Sequence, residues 1–223
     1  MERSLRTLLG AREHDVVSVQ ATARHPGFIA SMALFVLGAA AVVASIFFPW
    51  WELRLNAPQY PGGLYLTVYV DHIRGDIAEI DGLNHYIGMK PLGAAAAIER
   101  TVAPVALGAI VLMVLALAFI HRKWFAPLAV PVMLLPVIFL ADMYLWMRHY
   151  GQSLDPTAAL SGAIKPFTPR ILGHGTIAQF STDAALRPGW WLASLASLMV
   201  MFGLHFRRQA RLAAAREAKG DAR

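Results

Sequence analysis

The sequence predicts a mainly α-helical membrane protein: a bundle of four transmembrane helices carrying a small β-containing cap made from two long loops. Three observations lead there. Hydrophobic residues are 57% of the 223 and charged residues only 15%, against roughly 25% charged in an ordinary soluble domain. The apolar residues gather into four charge-poor runs, and the basic residues crowd the segments on one side of those runs.

A bilayer core about 30 Å thick takes around 20 helical residues at about 1.5 Å each. The first run, 28–51, ends in Phe47, Phe48, Pro49, Trp50 and Trp51, aromatics expected at the headgroup level. The second, 103–120, is separated from the third, 124–146, only by His121, Arg122 and Lys123, so these two are expected to form an antiparallel hairpin. Pro127, Pro131 and Pro136 each remove a backbone donor from the third run and predict a kinked or locally unwound helix. The fourth, 189–206, begins behind Trp190 and Trp191.

Twelve basic residues lie before the first run, in the hairpin and after the fourth run, with five acidic ones; the two long loops, 52–102 and 147–188, balance eight against eight. The positive-inside rule therefore puts both termini in the cytoplasm and the two loops on the far side of the membrane. The expected organisation is a basic cytoplasmic segment 1–27, a membrane domain 28–206 whose first span acts as a signal anchor, and a basic tail 207–223. The tail reads as an Ala-rich helical continuation that holds topology and meets anionic lipid. Lipid, not nucleic acid, accounts for the basic balance.

In the first loop, prolines and glycines between Asn56 and Gly63 exclude helix. Leu64, Leu66, Val68 and Val70 then alternate with Tyr65, Thr67 and Tyr69, the two-residue period of a strand. A strand needs a partner, expected within 76–80 before a turn at Asp81 and Gly82. The second loop is expected to be irregular but ordered, and to fold with the first over the helix ends.

Cysteine is absent, which excludes disulfides, c-type haem attachment and thiolate-held clusters. Imidazole and thioether are then the ligands open to Cu(I). His85 and Met89, four apart, would share one face of a helix, and Met147 and His149 close the third span; together they are the candidate metal ligands, for copper or, less directly, haem. The same histidines also suit ordinary hydrogen bonding, and methionine is a common core filler. Tyr60, Tyr65, Tyr69 and Tyr86, with Asn84, suit a partner-binding surface. Asp142, costly near the end of a span, is expected to pair with Arg148, His149 or Arg187. The carboxylates Asp71, Asp76, Glu79 and Asp81 are expected to solvate a turn. No phosphate loop, zinc-protease helix, nucleophile elbow or triad is present, and a transport path would need more polar groups within the spans.

The string LNAPQYPGGLYLTVYV at 55–70, GDIAEIDGLNHYIGMK at 75–90 and YGQSLDP at 150–156 resemble a family of small polytopic membrane proteins encoded beside nitrous-oxide reductase. The resemblance covers both outer blocks, is most specific at 82–89, and loosens from about 164 to 188. It implies a non-enzymatic accessory of a bacterial inner membrane, its loops in the periplasm, that supports maturation of, or electron supply to, a periplasmic copper reductase, with that enzyme, its copper chaperone or a cytochrome as partner. Asn84, His85, Tyr86 and Met89 fall on its most specific motif. A copper- or haem-binding redox or metal-transfer component and a small transporter subunit are the other readings.

Overall fold

The computed structural model describes residues 26–120, 123–160, 162–177 and 180–220. Among the described residues, four helices are long and apolar enough to cross a membrane, and the chain is a multi-pass membrane protein. The leader up to residue 25, with His14 and His25, lies outside the described residues, as do His121 and Arg122.

Helix α1 (Pro26–Ile46) enters the cap, and β1 (Trp51–Ala57), β2 (Tyr60–Val68), β3 (Ile73–Gly75) and α2 (Ile77–Ile87) follow. Helix α3 (Ala97–Phe119) runs away from the cap and α4 (Val130–Gln152) returns to it; β4 (Gly173–Ile177), β5 (Phe180–Leu186) and the long α5 (Pro188–Gly220) complete the chain. As expected, α5 continues into the basic tail as one helix, as far as Gly220.

The cap is one five-stranded antiparallel sheet in the order β3-β2-β1-β5-β4. Its centre is a strand not expected from the sequence: Trp51 and the residues after it form β1, with Leu53 opposite Leu66 on one side and Ala184 on the other. Trp51, Leu53, Leu55 and Ala57 point inward in strict alternation, so both loops build a single core with Leu66, Ile80, Ile87 and Met89.

Several expected boundaries move for physical reasons. The first helix stops at Ile46, because Pro49 cannot continue it. Trp50 and Trp51 do not sit in headgroups; they are 1% and 0% exposed, and their ring N–H groups donate to Ser45 O at 2.9 Å and Ile171 O at 2.6 Å. As expected, no helix forms between Asn56 and Gly63: a turn at Pro58 and Gln59 joins β1 to β2, which tolerates Pro61 since β3 pairs only with Leu66, Thr67 and Val68. The partner expected within 76–80 is instead helix α2, which also absorbs Asp81 and Gly82. The second loop is less irregular than expected, since its latter part is the β4–β5 hairpin. The third span runs on to Gln152, which makes Met147 and His149 helical rather than terminal.

The three prolines resolve separately. Pro127 lies in a 3-10 segment, Lys123–Ala129, that replaces the first turns of the expected helix, and Pro131 occupies the first turn of α4. Pro136 is internal, and neighbouring side chains from α5 supply donors there: Ser197 Oγ to Met133 O at 3.1 Å and Trp190 Nε1 to Pro136 O at 3.0 Å.

Helices α1 and α5 lie against each other along a seam whose buried positions are 28, 31, 35, 38, 42 and 45 on one and 193, 196, 200, 203, 207 and 210 on the other. That alternation of three and four residues is the period of a left-handed helix pair. A Cβ on Gly203 would lie 2.8 Å from the Phe35 ring, so the glycine is what lets the ring in.

Candidate functional site

The most specific sequence block, 82–89, forms the end of α2 and its exit. The helix closes on Gly88, in the left-handed region at φ 78°, whose N–H bonds back to His85 O. A Cβ there would lie 2.6 Å from Asp155 O and 2.8 Å from Asp155 N; only glycine accepts both the backbone angle and the approach. The second loop docks at that point, with Asp155 N donating to Gly88 O at 2.8 Å and Leu160 N to Tyr86 O at 2.9 Å. The two loops therefore meet twice, through the sheet and through this crossing.

Because the helix ends at Ile87, His85 and Met89 are not four apart on one helical face. Asn84 and Met89 are buried while His85, Tyr86 and Lys90 are exposed. His85 and Met89 do border one groove, between 85–91 and 153–159. Met147 and Met89 share the apolar core under the sheet, the usual place for thioethers. His149 is exposed, with its Nε2 3.3 Å from Lys90 Nζ, and borders neither space. Among the described residues, no three His, Asp or Glu side chains gather as a metal site.

Of the tyrosines, Tyr65 and Tyr86 are exposed, at 40% and 57%. Tyr60 packs against the cap core, and Tyr69 is half-buried between His72, stacked at 4.4 Å, and the Arg74 guanidinium. Of the four tyrosines expected on a recognition surface, two are exposed and two are half-buried.

Two of the four loop carboxylates bind backbone rather than merely solvating a turn. Asp81 accepts from Leu92 N at 2.6 Å and Gly93 N at 3.1 Å, and Asp76 accepts from Tyr65 N at 2.8 Å. Among the described residues no ion pair joins Asp142 to Arg148, His149 or Arg187. Residues six apart on a helix point about 120° away from each other, which separates Asp142 from Arg148, and Arg187 instead pairs with Glu52. Asp142 faces a cavity shared with Glu99 and Arg100.

His174 and Asn56 meet on Asp183 of β5, at 2.9 Å each. Their hydrogen bonds, the His174 one first, hold the Asp183 carboxyl below the usual range. A depressed folded pKa contributes stability above the unfolded value and loses it as pH falls through the folded one. In an NMR titration Asp183 is expected to protonate at lower pH than an unfolded-chain aspartate, and His174→Ala should move its midpoint upward. An unmoved midpoint would remove the His174 contribution.

No protein-family model matches this chain, and no curated protein matches it.

Proposed function

We propose that the chain is a non-enzymatic membrane accessory whose cap docks a protein partner on the periplasmic face, with both termini cytoplasmic. The observation that carries this is Tyr86: a 57% exposed aromatic held on a crossing where two loops share backbone hydrogen bonds. Rigid exposed aromatics anchor interfaces at little cost in ordering. Lys90, exposed beside the same groove, adds a polar rim.

The resemblance at 55–70, 75–90 and 150–156 supplies the partner class: a copper reductase of nitrous-oxide respiration, its chaperone or a cytochrome. In a nitrous-oxide-respiring host, loss of the chain is expected to abolish nitrous-oxide reduction. A photo-crosslinking residue in place of Tyr86 should capture one of those proteins, and one in place of the buried Tyr150 should not. Nitrous-oxide reduction at the parental rate without the chain would overturn the proposal.

Copper binding is the second reading, carried by His85 and Met89 bordering one groove. It requires the purified protein to carry copper that is lost in the His85→Ala, Met89→Leu double variant.

A further inference from the structure

Beneath the cap, between α3 and α4, lies a cavity of about 320 Å³, within the size range of small-molecule sites. Its walls are almost wholly apolar and include five aromatic side chains: Trp50, Tyr69, Phe139, Trp146 and Tyr150. Ala106 of α3 and Ile138 of α4 line it and are themselves exposed, so it opens sideways onto the surface that faces lipid. The two helices have little direct packing against each other, which is what leaves the opening.

The charged groups lie midway along the lining, Glu99 and Arg100 on α3 and Asp142 on α4. Arg100 gives one guanidinium nitrogen to Gly93 O at 2.9 Å, while its Nε is buried with no partner. A buried donor without an acceptor is costly. Ala96, a non-glycine residue in the left-handed region at φ 51°, sits on the same wall at the start of α3; backbone strain of this kind is characteristic of ligand clamps.

We propose that this cavity binds the head of a membrane quinone, with the apolar tail leaving between α3 and α4. A quinone carbonyl accepts from the Arg100 guanidinium, and in the quinol form a hydroxyl donates to Asp142. The charges select against other amphiphiles. The two carboxylates repel a fatty-acid or acidic-lipid head, and an uncharged head that accepts from Arg100 and, when reduced, donates to Asp142 meets both signs of charge. The aromatic walls suit a planar ring. From Arg100 to Ile110, the lining of α3 spans about 15 Å at helical rise, room for the ring and the start of a tail. This site is separate from the docking face and stands whether or not that face has the proposed partner.

The test uses the full chain in detergent or nanodiscs, titrated with decylubiquinone and read by tryptophan fluorescence, since Trp50 and Trp146 line the site. Saturable quenching at one equivalent is expected, weakened at least tenfold in Arg100→Gln and in Ala103→Phe, which fills the cavity and keeps its charged groups. Ala103→Phe decides if Arg100→Gln does not fold. Unsaturable quenching, equal affinity in a folded Ala103→Phe protein, or a co-purified phospholipid that the quinone does not displace in native mass spectrometry would each overturn the proposal.

Discussion

Replacing Arg207 with alanine is expected to destabilise the protein by about 3 kcal/mol, from lost charged hydrogen bonds and the space left behind. The basic tail was expected to begin there, on a lipid- or water-facing helix. Instead Arg207 is 4% exposed. Its guanidinium donates to the carbonyls of Leu117 and Ala118, which end α3, and to Ser31 Oγ on α1, and it lies 5.0 and 4.7 Å from the rings of Phe28 and Phe35. One side chain of α5 thus satisfies the end of one helix and packs on another. Helix C-termini attract cations and leave carbonyls without partners, and the apolar stem of an arginine can lie in the bundle while its head reaches the boundary.

Lysine should rescue poorly, since it offers a point charge where a planar fork meets three acceptors. The neighbouring Arg208, exposed on the same helix, should tolerate alanine. Thermal unfolding in detergent separates these outcomes; equal midpoints for Arg207→Ala and Arg208→Ala would mean that the buried contacts contribute nothing.

Gly88→Val is expected to separate the two loops while leaving the four helices assembled. A β-branched residue in the left-handed region is strained by roughly 1–2 kcal/mol, and its Cβ would collide with the Asp155 backbone, which cannot move as a side-chain end can. The amides of Asp155 and Leu160, which bond across the crossing, should lose hydrogen-exchange protection by about 10²-fold or more, equivalent to roughly 3 kcal/mol. Gly82, in the same helix but with open space beside it, should accept alanine with a gain of about 0.5–1 kcal/mol. Wild-type protection in Gly88→Val would show that the crossing does not join the loops. Because Tyr86 sits on it, the same substitution should also weaken partner capture.

Much of the cap was legible one strand at a time. Alternation from Leu64 onward marked β2, and the same period was present but unread in Trp51, Leu53, Leu55 and Ala57, because two adjacent tryptophans after an apolar run look like headgroup anchors. The seam between α1 and α5 was also open to reading: Ser31, Phe35, Gly38, Val42 and Ser45 repeat by fours and threes. Helix α2 also carries apolar residues at helical spacing, Ile77, Ile80, Leu83 and Ile87, which pack on the cap core. Asp81 and Gly82 inside it gave a plausible turn signal that tertiary packing overrode.

Of the candidate site, the sequence singled out 82–89 and the irregularity of Asp142, but not their surroundings. Which histidines face out, that Met89 and Met147 are core, and that Asp142 shares a cavity with Arg100 depend on elements far apart in the chain, whose approach no local spacing encodes.

By itself the sequence determined the four membrane-spanning helices, because burying about 20 apolar residues in lipid is a local property of composition and length. Only the tertiary structure decided that both loops share one sheet, that Arg207 belongs to the core, and that α3 and α4 stand apart around a cavity. Each of those depends on long-range complementarity between surfaces, which is set when the helices and the cap pack and not before.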